Sequence, residues 1–298
     1  MVESQKKLRV ALVGCGHWGR FILRDLKSLG VSVFVVARSR ASRNRAVQGG
    51  TDLVVSSIEN LPAVDGYVVA TPIKTHYEVI CRILKKDNIA PIFCEKPLTD
   101  DLQKAKRLAK IALTNLFVMD KWRYHGAVEE MARIVKSKKY GKPSKFYSMR
   151  LTPNKTKADL LWRNLPHEIA MIYEIFGILP KAKYVEVKSN KAFHATFGQK
   201  PSFEIDIKKD GQSKREIRLF LDKATVIMDD SYSDSMKIEV NGKTSTLKFE
   251  NEMPLKKELS VFLDFIRGGN EPKSDVMFGL RIVEMIENIK RIAKKNET

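Results

Sequence analysis

Three glycines near the start of the chain have the spacing of a phosphate-binding turn. Gly14, Gly16 and Gly19 lie between an apolar run and an amphipathic stretch. In such a turn the first glycine permits the sharp bend, the second lets the backbone approach a pyrophosphate, and the third allows a helix to pack against the strand. The N–H groups at the helix start favour phosphate charge. This context predicts a dinucleotide site that includes His17 and Trp18, rather than a turn without a ligand.

The end of the second apolar run predicts which dinucleotide binds. NAD sites commonly place an acidic residue there, about 20 residues beyond the glycines, to bond the ribose 2′-hydroxyl. This chain instead has Arg38 and Ser39, followed by Arg43 and Arg45. Guanidinium groups suit phosphate geometry, and no carboxylate repels a 2′-phosphate. We therefore expect NADP(H) rather than NAD, with Arg38 and Ser39 as contacts. The alternative is that these arginines form the solvated first turn of a helix.

The segment after the fourth apolar run adds three candidates for the cofactor site. Thr71 and Pro72 stand at the carboxyl end of an expected parallel strand, where ligands bind in open α/β sheets. We expect both residues to line a cofactor channel. His76 belongs to the same set, and its position favours a role at a helix start over catalysis.

The sequence Glu95-Lys96-Pro97 follows the fifth apolar run and contains the first catalytic candidate. A charged pair at the end of a buried strand costs free energy unless it is paired or functional. Partial burial near a cationic nicotinamide ring would lower the pKa of Lys96 towards a useful range. Lys96 is therefore the expected catalytic residue, with Glu95 and Pro97 beside the cofactor. The alternative is a structural lysine–glutamate pair.

Strand and helix patterns alternate through residues 1–120 and predict an NAD(P)-binding Rossmann domain, an α/β fold with a doubly wound parallel sheet. Gly30 is expected as a C-cap, and Thr75 with Glu78 as a capping box. The expected strands are Leu8–Val13, Val31–Ala37, Leu53–Val55, Tyr67–Ala70, Ile92–Cys94 and Leu116–Met119, and the clearest helices are Phe21–Leu29, Tyr77–Lys86 and Leu102–Leu113.

Residues 121–298 show a different order and predict a second α/β domain for substrate binding and oligomerisation. Asn241-Gly242 predicts a hairpin between two β segments. The expected helices are Gly126–Ser137, about Pro166–Phe176, Leu255–Ile266 and Val276–Ala293, and the expected strands are Lys145–Leu151, Tyr184–Lys188, Phe203–Lys208, Glu216–Leu221, Thr225–Met228, Met236–Val240 and Ser245–Phe249.

Composition limits the function classes. The 298 residues are 43% hydrophobic and 30% charged, with no apolar run long enough to span a bilayer. The formal net charge of +19 suggests nucleic-acid binding, but the positive charge is spread evenly and is not interleaved with stacking aromatic residues. We therefore expect neither a nucleic-acid nor a membrane partner. Three cysteines without metal-ligand spacing predict reduced thiols, a cytoplasmic protein and no metal site.

Together these motifs resemble the glucose–fructose oxidoreductase/inositol dehydrogenase (Gfo/Idh/MocA) family. The similarity covers nearly the whole chain. It rests on Val13-Gly-x-Gly-x-x-Gly19, Ala-Thr-Pro-x-x-x-His76, Cys-Glu-Lys-Pro-Leu98, Pro166-His167 ten residues before Gly177, Pro254-Leu-x-x-Glu258, Phe262–Ile266 and Asp275–Gly279.

The resemblance implies a Rossmann domain followed by an α/β domain with a large open, mainly antiparallel sheet. It implies NAD(P)-dependent oxidation or reduction at a carbon of a sugar, polyol or related small molecule. The family's catalytic lysine and histidine match Lys96 and His167. A homo-oligomer, dimer or tetramer, is expected to form through the C-terminal sheet.

One position departs from the family's pattern. The family commonly carries an aspartate four residues before the histidine, where this chain has Arg163. Arg163 cannot shuttle a proton but can bind a substrate carboxylate or phosphate. Asn164 is expected to cap a helix that begins near Pro166, so that His167 lies in the first turn, where the helix dipole favours neutral imidazole. Asn164 and Tyr124 complete the expected substrate-binding set, with core packing as the alternative for Tyr124.

These residues support one function and one alternative. The first is an NADP(H)-dependent oxidoreductase that transfers a hydride to or from a CH–OH carbon of a sugar, nucleotide sugar or related polyol, with Lys96 and His167 as the acid/base groups. The alternative, supported by Arg163, is a non-catalytic NADP(H)-binding regulator or sensor on the same fold.

Overall fold

A computed structural model describes residues 7–153, 159–188, 191–198, 200–250 and 252–296. The chain divides into two compact units: unit 1 comprises Met1–Lys121 and Leu255–Val283, and unit 2 comprises Trp122–Pro254 and Glu284–Thr298. The described helices are α1 (Gly19–Ser28), α2 (Arg40–Gln48), α3 (His76–Lys86), α4 (Leu102–Ile111), α5 (Gly126–Ser137), α6 (Leu160–Phe176), α7 (Pro254–Ile266) and α8 (Val276–Asn296).

Unit 1 is built on a six-stranded parallel sheet in the order β3-β2-β1-β4-β5-β6. This order confirms the doubly wound Rossmann arrangement. Every residue of β4 and of β6 is buried, because a parallel sheet in this fold is covered on both faces. The strands are β1 (Arg9–Val13), β2 (Ser32–Val36), β3 (Leu53–Val55), β4 (Gly66–Val69), β5 (Ile92–Glu95) and β6 (Leu116–Met119).

Helix α7 belongs to unit 1 although it follows the strands of unit 2 in sequence. Its apolar face, which includes Leu259 and Phe262, lies in the same core cluster as the Rossmann strands. The Phe262 ring stacks on Phe93 of β5 with centroids 4.9 Å apart. The linear division into residues 1–120 and 121–298 places α7 with the second domain. The grouping of α7 with unit 1 depends on contacts between segments that are distant in sequence.

The end of α1 has the expected glycine C-cap, whereas the start of α3 lacks the expected capping box. Gly30 follows α1 with φ of +80°, the left-handed conformation expected at a C-cap. The Thr75 capping box is wrong: no side chain caps α3, and the Thr75 hydroxyl instead donates to the Pro72 carbonyl oxygen at 2.7 Å. The Thr75 backbone is already helical, so its hydroxyl turns back into the preceding 3₁₀ turn.

Unit 2 contains an eight-stranded sheet in the order β14-β13-β12-β11-β7-β10-β9-β8. All neighbouring strands are antiparallel except β7 and β10, which confirms the mainly antiparallel sheet. The strands are β7 (Pro143–Thr152), β8 (Ala182–Lys188), β9 (Ala192–Phe197), β10 (Ser202–Lys209), β11 (Lys214–Leu221), β12 (Thr225–Met228), β13 (Ser235–Val240) and β14 (Lys243–Lys248).

The hairpin expected at Asn241-Gly242 is confirmed. Val240 pairs with Lys243, and the two loop residues have φ of +50° and +74°. Such a two-residue loop with two positive φ values is the turn that Asn-Gly favours. Strand β9 was not among the expected elements; its Ala-Phe-His-Ala-Thr-Phe alternation buries small and aromatic residues on one face.

Helix α6 begins six residues earlier than expected. Asp159, not Asn164, is its N-cap, and the Asp159 carboxylate accepts hydrogen bonds from the N–H groups of Leu161 and Trp162. Pro166 therefore lies inside the helix. A proline there removes one backbone hydrogen bond, and the buried side chains of the added turn, such as Leu161, offset this loss.

None of the described helices combines the length and the apolar character that a bilayer span requires.

Candidate functional site

Unit 1 contains a cavity of about 540 Å³ at the carboxyl ends of its central strands. It lies where ligands bind in open α/β sheets. The lining residues come from the glycine turn, the β2–α2 connection, the segment after β3 and the β4–α3 connection: Val13, Gly14, Cys15, Gly16, Val36, Ala37, Arg38, Ser39, Ser42, Arg45, Ser56, Ser57, Ile58, Ala70, Thr71, Pro72, Lys74, Thr75, Glu78, Val79 and Arg82.

The glycine turn has the geometry that a pyrophosphate requires. Gly14 has φ of +97°, and a Cβ there would lie 2.8 Å from the Ala70 carbonyl oxygen. At Gly19 a Cβ would lie 2.4 Å from the Gly14 carbonyl oxygen, whereas at Gly16 it would meet no atom within 4 Å. The first and third glycines thus allow close backbone packing, and the second leaves open space for a ligand. No side chain caps α1, which begins at Gly19, so its terminal N–H groups suit a phosphate.

A chain of hydrogen bonds joins the glycine turn to α2. Ser39 is the N-cap of α2 and accepts from the Ser42 N–H at 3.2 Å. The Ser42 hydroxyl oxygen accepts from the Cys15 N–H at 3.2 Å, and Arg45 Nε donates to the Cys15 carbonyl oxygen at 2.8 Å. The side chains of Ser42 and Arg45 therefore hold the glycine turn and α2 in a fixed relationship.

The charge of the lining suits a polyphosphate. Arg38, Arg45, Lys74 and Arg82 supply four cationic side chains, and Glu78 is the one carboxylate among the lining residues. The guanidinium and ammonium groups favour anionic ligands, and Arg38 is exposed at the end of β2. A dinucleotide cofactor therefore fits the residues present at this site.

The structure separates the expected cofactor residues into two groups. Gly14, Gly16, Arg38, Ser39, Thr71 and Pro72 line the cavity; His17, Trp18, Gly19, His76, Glu95, Lys96 and Pro97 do not. His17 is exposed, and its ring lies edge-on to Phe21 with centroids 5.7 Å apart. Residues that sequence reasoning missed include Ser56 and Ser57, whose signal was a polar pair at the end of a short strand.

His76 joins two of the strand ends. It is the first residue of α3, is buried, and lies with Nε2 2.8 Å from the Thr71 carbonyl oxygen and Nδ1 3.1 Å from the Pro97 carbonyl oxygen. Burial lowers its pKa, while the carbonyl groups of Thr71 and Pro97 act in the opposite direction. His76 thus ties the segment after β4 to the segment after β5.

Beyond β5 and β6 lies a cluster of charged groups that we call the carboxyl cluster: Glu95, Lys96, Asp120, Lys121 and Glu258 of α7. Although part of Glu95 is accessible, burial of its carboxyl group raises the pKa to about 7. The positive charges of Lys96 and Lys121 act against this rise. Lys121 Nζ lies 5.0 Å from the centroid of the Trp18 ring.

Glu258 is the most deeply buried member of the carboxyl cluster. It is 1% exposed, and its Oε2 atom has no hydrogen-bond partner. Burial raises its pKa well above the usual range, and the nearby charges of Glu95 and Asp120 raise it further. Burial therefore favours the neutral form of this carboxyl group over its ionised form.

In unit 2, His167 is the eighth of the 17 residues of α6, so it lies close to the middle of the helix and not at its start. It is buried, and its ring lies edge-on to Trp122 with centroids 6.5 Å apart. Because α6 begins at Leu160, the expected effect of the helix N-terminus on the imidazole does not apply. Asn164 is also inside the helix, and its Nδ2 donates to the Leu160 carbonyl oxygen at 3.1 Å.

The other substrate-binding candidates have different surroundings. Arg163 is exposed, four residues before His167 and hence on the same side of α6. Tyr124 is buried. Its neighbour Arg123 forms an ion pair with Glu174 of α6 at 2.9 Å, so this segment packs against α6.

A buried ionic group that the sequence did not reveal lies beneath α6. Glu168, next to His167, is fully buried and contacts Arg215, Arg150 and Ser148. These residues come from α6, β11 and β7, so their contact is set by the fold and not by spacing in the sequence.

Among the described residues, one group of three side chains has its potential metal-ligand atoms within 4.8 Å of one another: His194, Glu204 and Asp206. His194 Nδ1 already lies 2.9 Å from Asp206 Oδ1, and Glu204 forms an ion pair with Lys145. The arrangement is therefore accounted for without an ion.

The N-terminal part of the chain matches a known family. The model of the oxidoreductase family with an NAD-binding Rossmann fold (GFO_IDH_MocA) matches residues 8–116. The chain is 33% identical over 112 residues to inositol 2-dehydrogenase 1 of Paenarthrobacter aurescens, a match that covers 35% of this chain and 33% of the relative. It is 27% identical over 184 residues to inositol 2-dehydrogenase of Mycolicibacterium smegmatis, covering 57% of this chain and 53% of the relative.

The chain thus spans a third to about half of the length of these curated relatives. The fold extends further: UDP-N-acetylglucosamine 3-dehydrogenase from Acidithiobacillus ferrooxidans superimposes with a TM-score of 0.81 at 18% identity, over 97% of this chain and 98% of that one. At this identity the likeness shows the fold alone. The resemblance to the Gfo/Idh/MocA oxidoreductases is therefore confirmed over residues 8–116, which match the model of that family's NAD-binding Rossmann fold.

Proposed function

We propose that this protein is an NADP(H)-dependent oxidoreductase that acts on a CH–OH carbon of a sugar, nucleotide sugar or related polyol. The observation that carries the proposal is the cavity beside Gly16, which combines an open approach to the glycine turn with four cationic side chains. The family match of residues 8–116 supports the same cofactor class.

The β2 end of the cavity supports NADP(H) over NAD. Arg38 and Arg45 line it together with the hydroxyl groups of Ser39 and Ser42. The carboxylate among the lining residues, Glu78, belongs to α3 instead of the β2–α2 connection. A 2′-phosphate would meet cations and hydroxyl donors there, whereas a ribose 2′-hydroxyl would lack its usual carboxylate acceptor.

The names of the relatives support the substrate class. The curated relatives are inositol 2-dehydrogenases, which are named for a cyclic polyol, and the structural neighbour is named for a nucleotide sugar. The proposal also includes a cytoplasmic location. It further includes a homo-oligomer formed through the eight-stranded sheet, and sedimentation equilibrium tests this oligomeric state.

The chemistry needs a group that exchanges a proton with the substrate hydroxyl. A bound nicotinamide nucleotide supplies or accepts the hydride. Lys96 Nζ is proposed to hold and move the proton, because its neighbour Glu95 has a pKa near neutrality and can adjust the charge around it. His167 is proposed as the second acid/base group, since imidazole exchanges protons near neutral pH.

Steady-state kinetics tests this proposal. Hydride transfer is followed by nicotinamide absorbance with NADP⁺ or NADPH and a panel of sugars, nucleotide sugars and polyols. Lys96→Ala and His167→Ala are expected to lower kcat/KM by about 10²–10⁴-fold while NADPH still binds. Lys106→Ala, a charge loss at an exposed position of α4, is the control. Unchanged turnover in both variants would contradict the roles, and NADPH binding without turnover of any substrate would favour a sensor.

A further inference from the structure

Two arginines lie directly opposite each other on neighbouring strands of unit 2. Arg150 of β7 pairs in register with Arg215 of β11. Both reach the same carboxylate, Glu168 of α6. Because like charges at directly opposed positions of a sheet repel, this place requires compensating negative charge.

Glu168 compensates the two arginines unequally. Its Oε1 accepts a hydrogen bond from Arg215 Nη2 at 2.7 Å, and its Oε2 accepts one from the Ser148 hydroxyl at 2.6 Å. Arg215 also lies over the Trp122 ring at 3.9 Å from the centroid. Arg150 Nη1, by contrast, is 3.6 Å from Oε1, beyond hydrogen-bonding distance. One carboxylate thus faces two guanidinium groups and bonds to one of them.

Arg150 faces Glu168 but has no hydrogen-bond partner at its Nη1 atom. Although Nη1 itself is buried, 23% of the Arg150 side chain is accessible, so part of this side chain borders solvent. Burial lowers the pKa of Arg150, Glu168 raises it, and the positive charge of Arg163 lowers it. A guanidinium group nevertheless stays charged at neutral pH. A buried donor of this kind costs free energy until an acceptor occupies it.

We propose that Arg150 and Arg163 form a subsite for an anionic group of the substrate, a carboxylate or a phosphate. The inference rests on the proposed function and narrows its substrate class to acidic sugars and sugar phosphates. The planar guanidinium fork matches both groups through paired hydrogen bonds. Arg163 lies one helical turn before His167, and Glu168 directly follows His167. The subsite therefore adjoins the proposed acid/base residue along α6.

The test measures anion binding with inorganic phosphate and acetate as probes, at constant ionic strength, by the thermal-unfolding midpoint and by calorimetry. Saturating NADPH fills the nucleotide cavity, and a parallel series omits it. Arg150→Gln removes the charge, and Arg150→Lys keeps it without the fork. Arg218→Gln is the matched control, because Arg218 lies on the other face of the same strand as Arg215 and pairs with Glu216.

At least one probe is expected to bind the wild type, about tenfold or more weaker in Arg150→Gln, with an intermediate loss in Arg150→Lys and none in Arg218→Gln. Binding of phosphate alone identifies a phosphate group, and binding of acetate alone a carboxylate; both outcomes support the subsite. Equal binding by wild type and Arg150→Gln, or no binding by the wild type, would overturn it. Failure of NADPH to bind contradicts the proposed function, while the series without NADPH still decides on the subsite.

Discussion

Arg45 donates a hydrogen bond from Nε to the backbone carbonyl oxygen of Cys15 at 2.8 Å. This contact joins α2 to the glycine turn. The same side chain lines the nucleotide cavity. Arg45 therefore has two effects on a bound nucleotide: it fixes the turn, and it adds positive charge.

Replacing Arg45 tests this double role. Arg45→Ala is expected to weaken NADPH binding by about tenfold or more, since one hydrogen bond to the turn and one cation are lost. Calorimetric titration of the variant measures the change. Arg43→Ala removes the same charge from an exposed position of α2 and is expected to bind like the wild type. Equal losses in both variants would show that net charge, and not the contact with Cys15, determines affinity.

Gly16 and Gly19 make a contrasting pair. A Cβ at Gly16 meets open space, so Gly16→Ala is expected to unfold at nearly the wild-type thermal midpoint. Its affinity for NADPH is expected to fall by more than tenfold, because the methyl group occupies the approach of the pyrophosphate. A Cβ at Gly19 would lie 2.4 Å from the Gly14 carbonyl oxygen, so Gly19→Ala is expected to lower the free energy of unfolding by about 1–3 kcal/mol.

Thermal unfolding and NADPH titration of both variants distinguish the two effects. Normal NADPH affinity in Gly16→Ala would show that no ligand approaches this glycine. Unchanged stability in Gly19→Ala would show that helix α1 can shift away from β1.

Cofactor preference depends on the β2–α2 connection. Arg38→Asp places a carboxylate where a 2′-phosphate is expected, and we predict at least a tenfold fall in affinity for NADPH relative to NADH. The exposed Arg40 offers a control, because Arg40→Asp makes the same charge change two residues further on. An unaltered ratio of the two dissociation constants in Arg38→Asp would assign the 2′-phosphate contact to other residues.

The carboxyl cluster predicts a pH dependence of stability. The pKa of Glu95 is raised from its usual 4.5 to about 7, and that of Glu258 lies well above 4.5. Between about pH 5 and 7 the unfolded chain has released the Glu95 proton while the folded protein retains it, and the raised pKa of Glu258 acts in the same direction. Because the unfolded state then binds fewer protons, the free energy of unfolding falls as the pH rises through this range.

Glu258→Gln isolates the contribution of the buried carboxyl. Glutamine keeps the shape and stays neutral, so the variant is expected to match the wild type near pH 5 and to exceed its stability by on the order of 1 kcal/mol at pH 8. Urea unfolding at several pH values measures this difference. Glu271→Gln, at an exposed position, is the control. Parallel curves for Glu258→Gln and the wild type would mean that Glu258 is ionised in the folded protein.

Much of unit 1 could be predicted from local sequence. The strands Leu53–Val55 and Leu116–Met119 have the expected bounds, and the other four differ by one residue at each affected end. Buried parallel strands are short apolar runs, and the glycines that follow β1 have a spacing that few other structures need. Both signals lie within a few residues of one another, so the sequence contains them in full.

The start of α6 could not be predicted in this way. Asp159 and Asn164 are both good N-cap residues, and Pro166 suggests a helix start after Asn164. The structure selects Asp159, since the longer helix buries Leu160, Leu161 and Leu165. That choice depends on the packing around the helix, which spacing in the sequence does not describe.

Contacts between distant segments were likewise beyond the sequence. The pairing of Arg150 with Arg215 depends on the register between β7 and β11, and their shared carboxylate comes from α6. In the same way, α7 brings Glu258 to Glu95 across more than half of the chain. The residues that tune these sites became visible only once the fold was known.

The central claim is that a phosphorylated nicotinamide nucleotide binds in the cavity of unit 1. Calorimetric titration of the wild-type protein with NADPH and with NADH, in buffer free of phosphate, measures it most directly. The account predicts saturable binding of one NADPH per chain, with a lower dissociation constant than for NADH. Absence of binding by both nucleotides would contradict it.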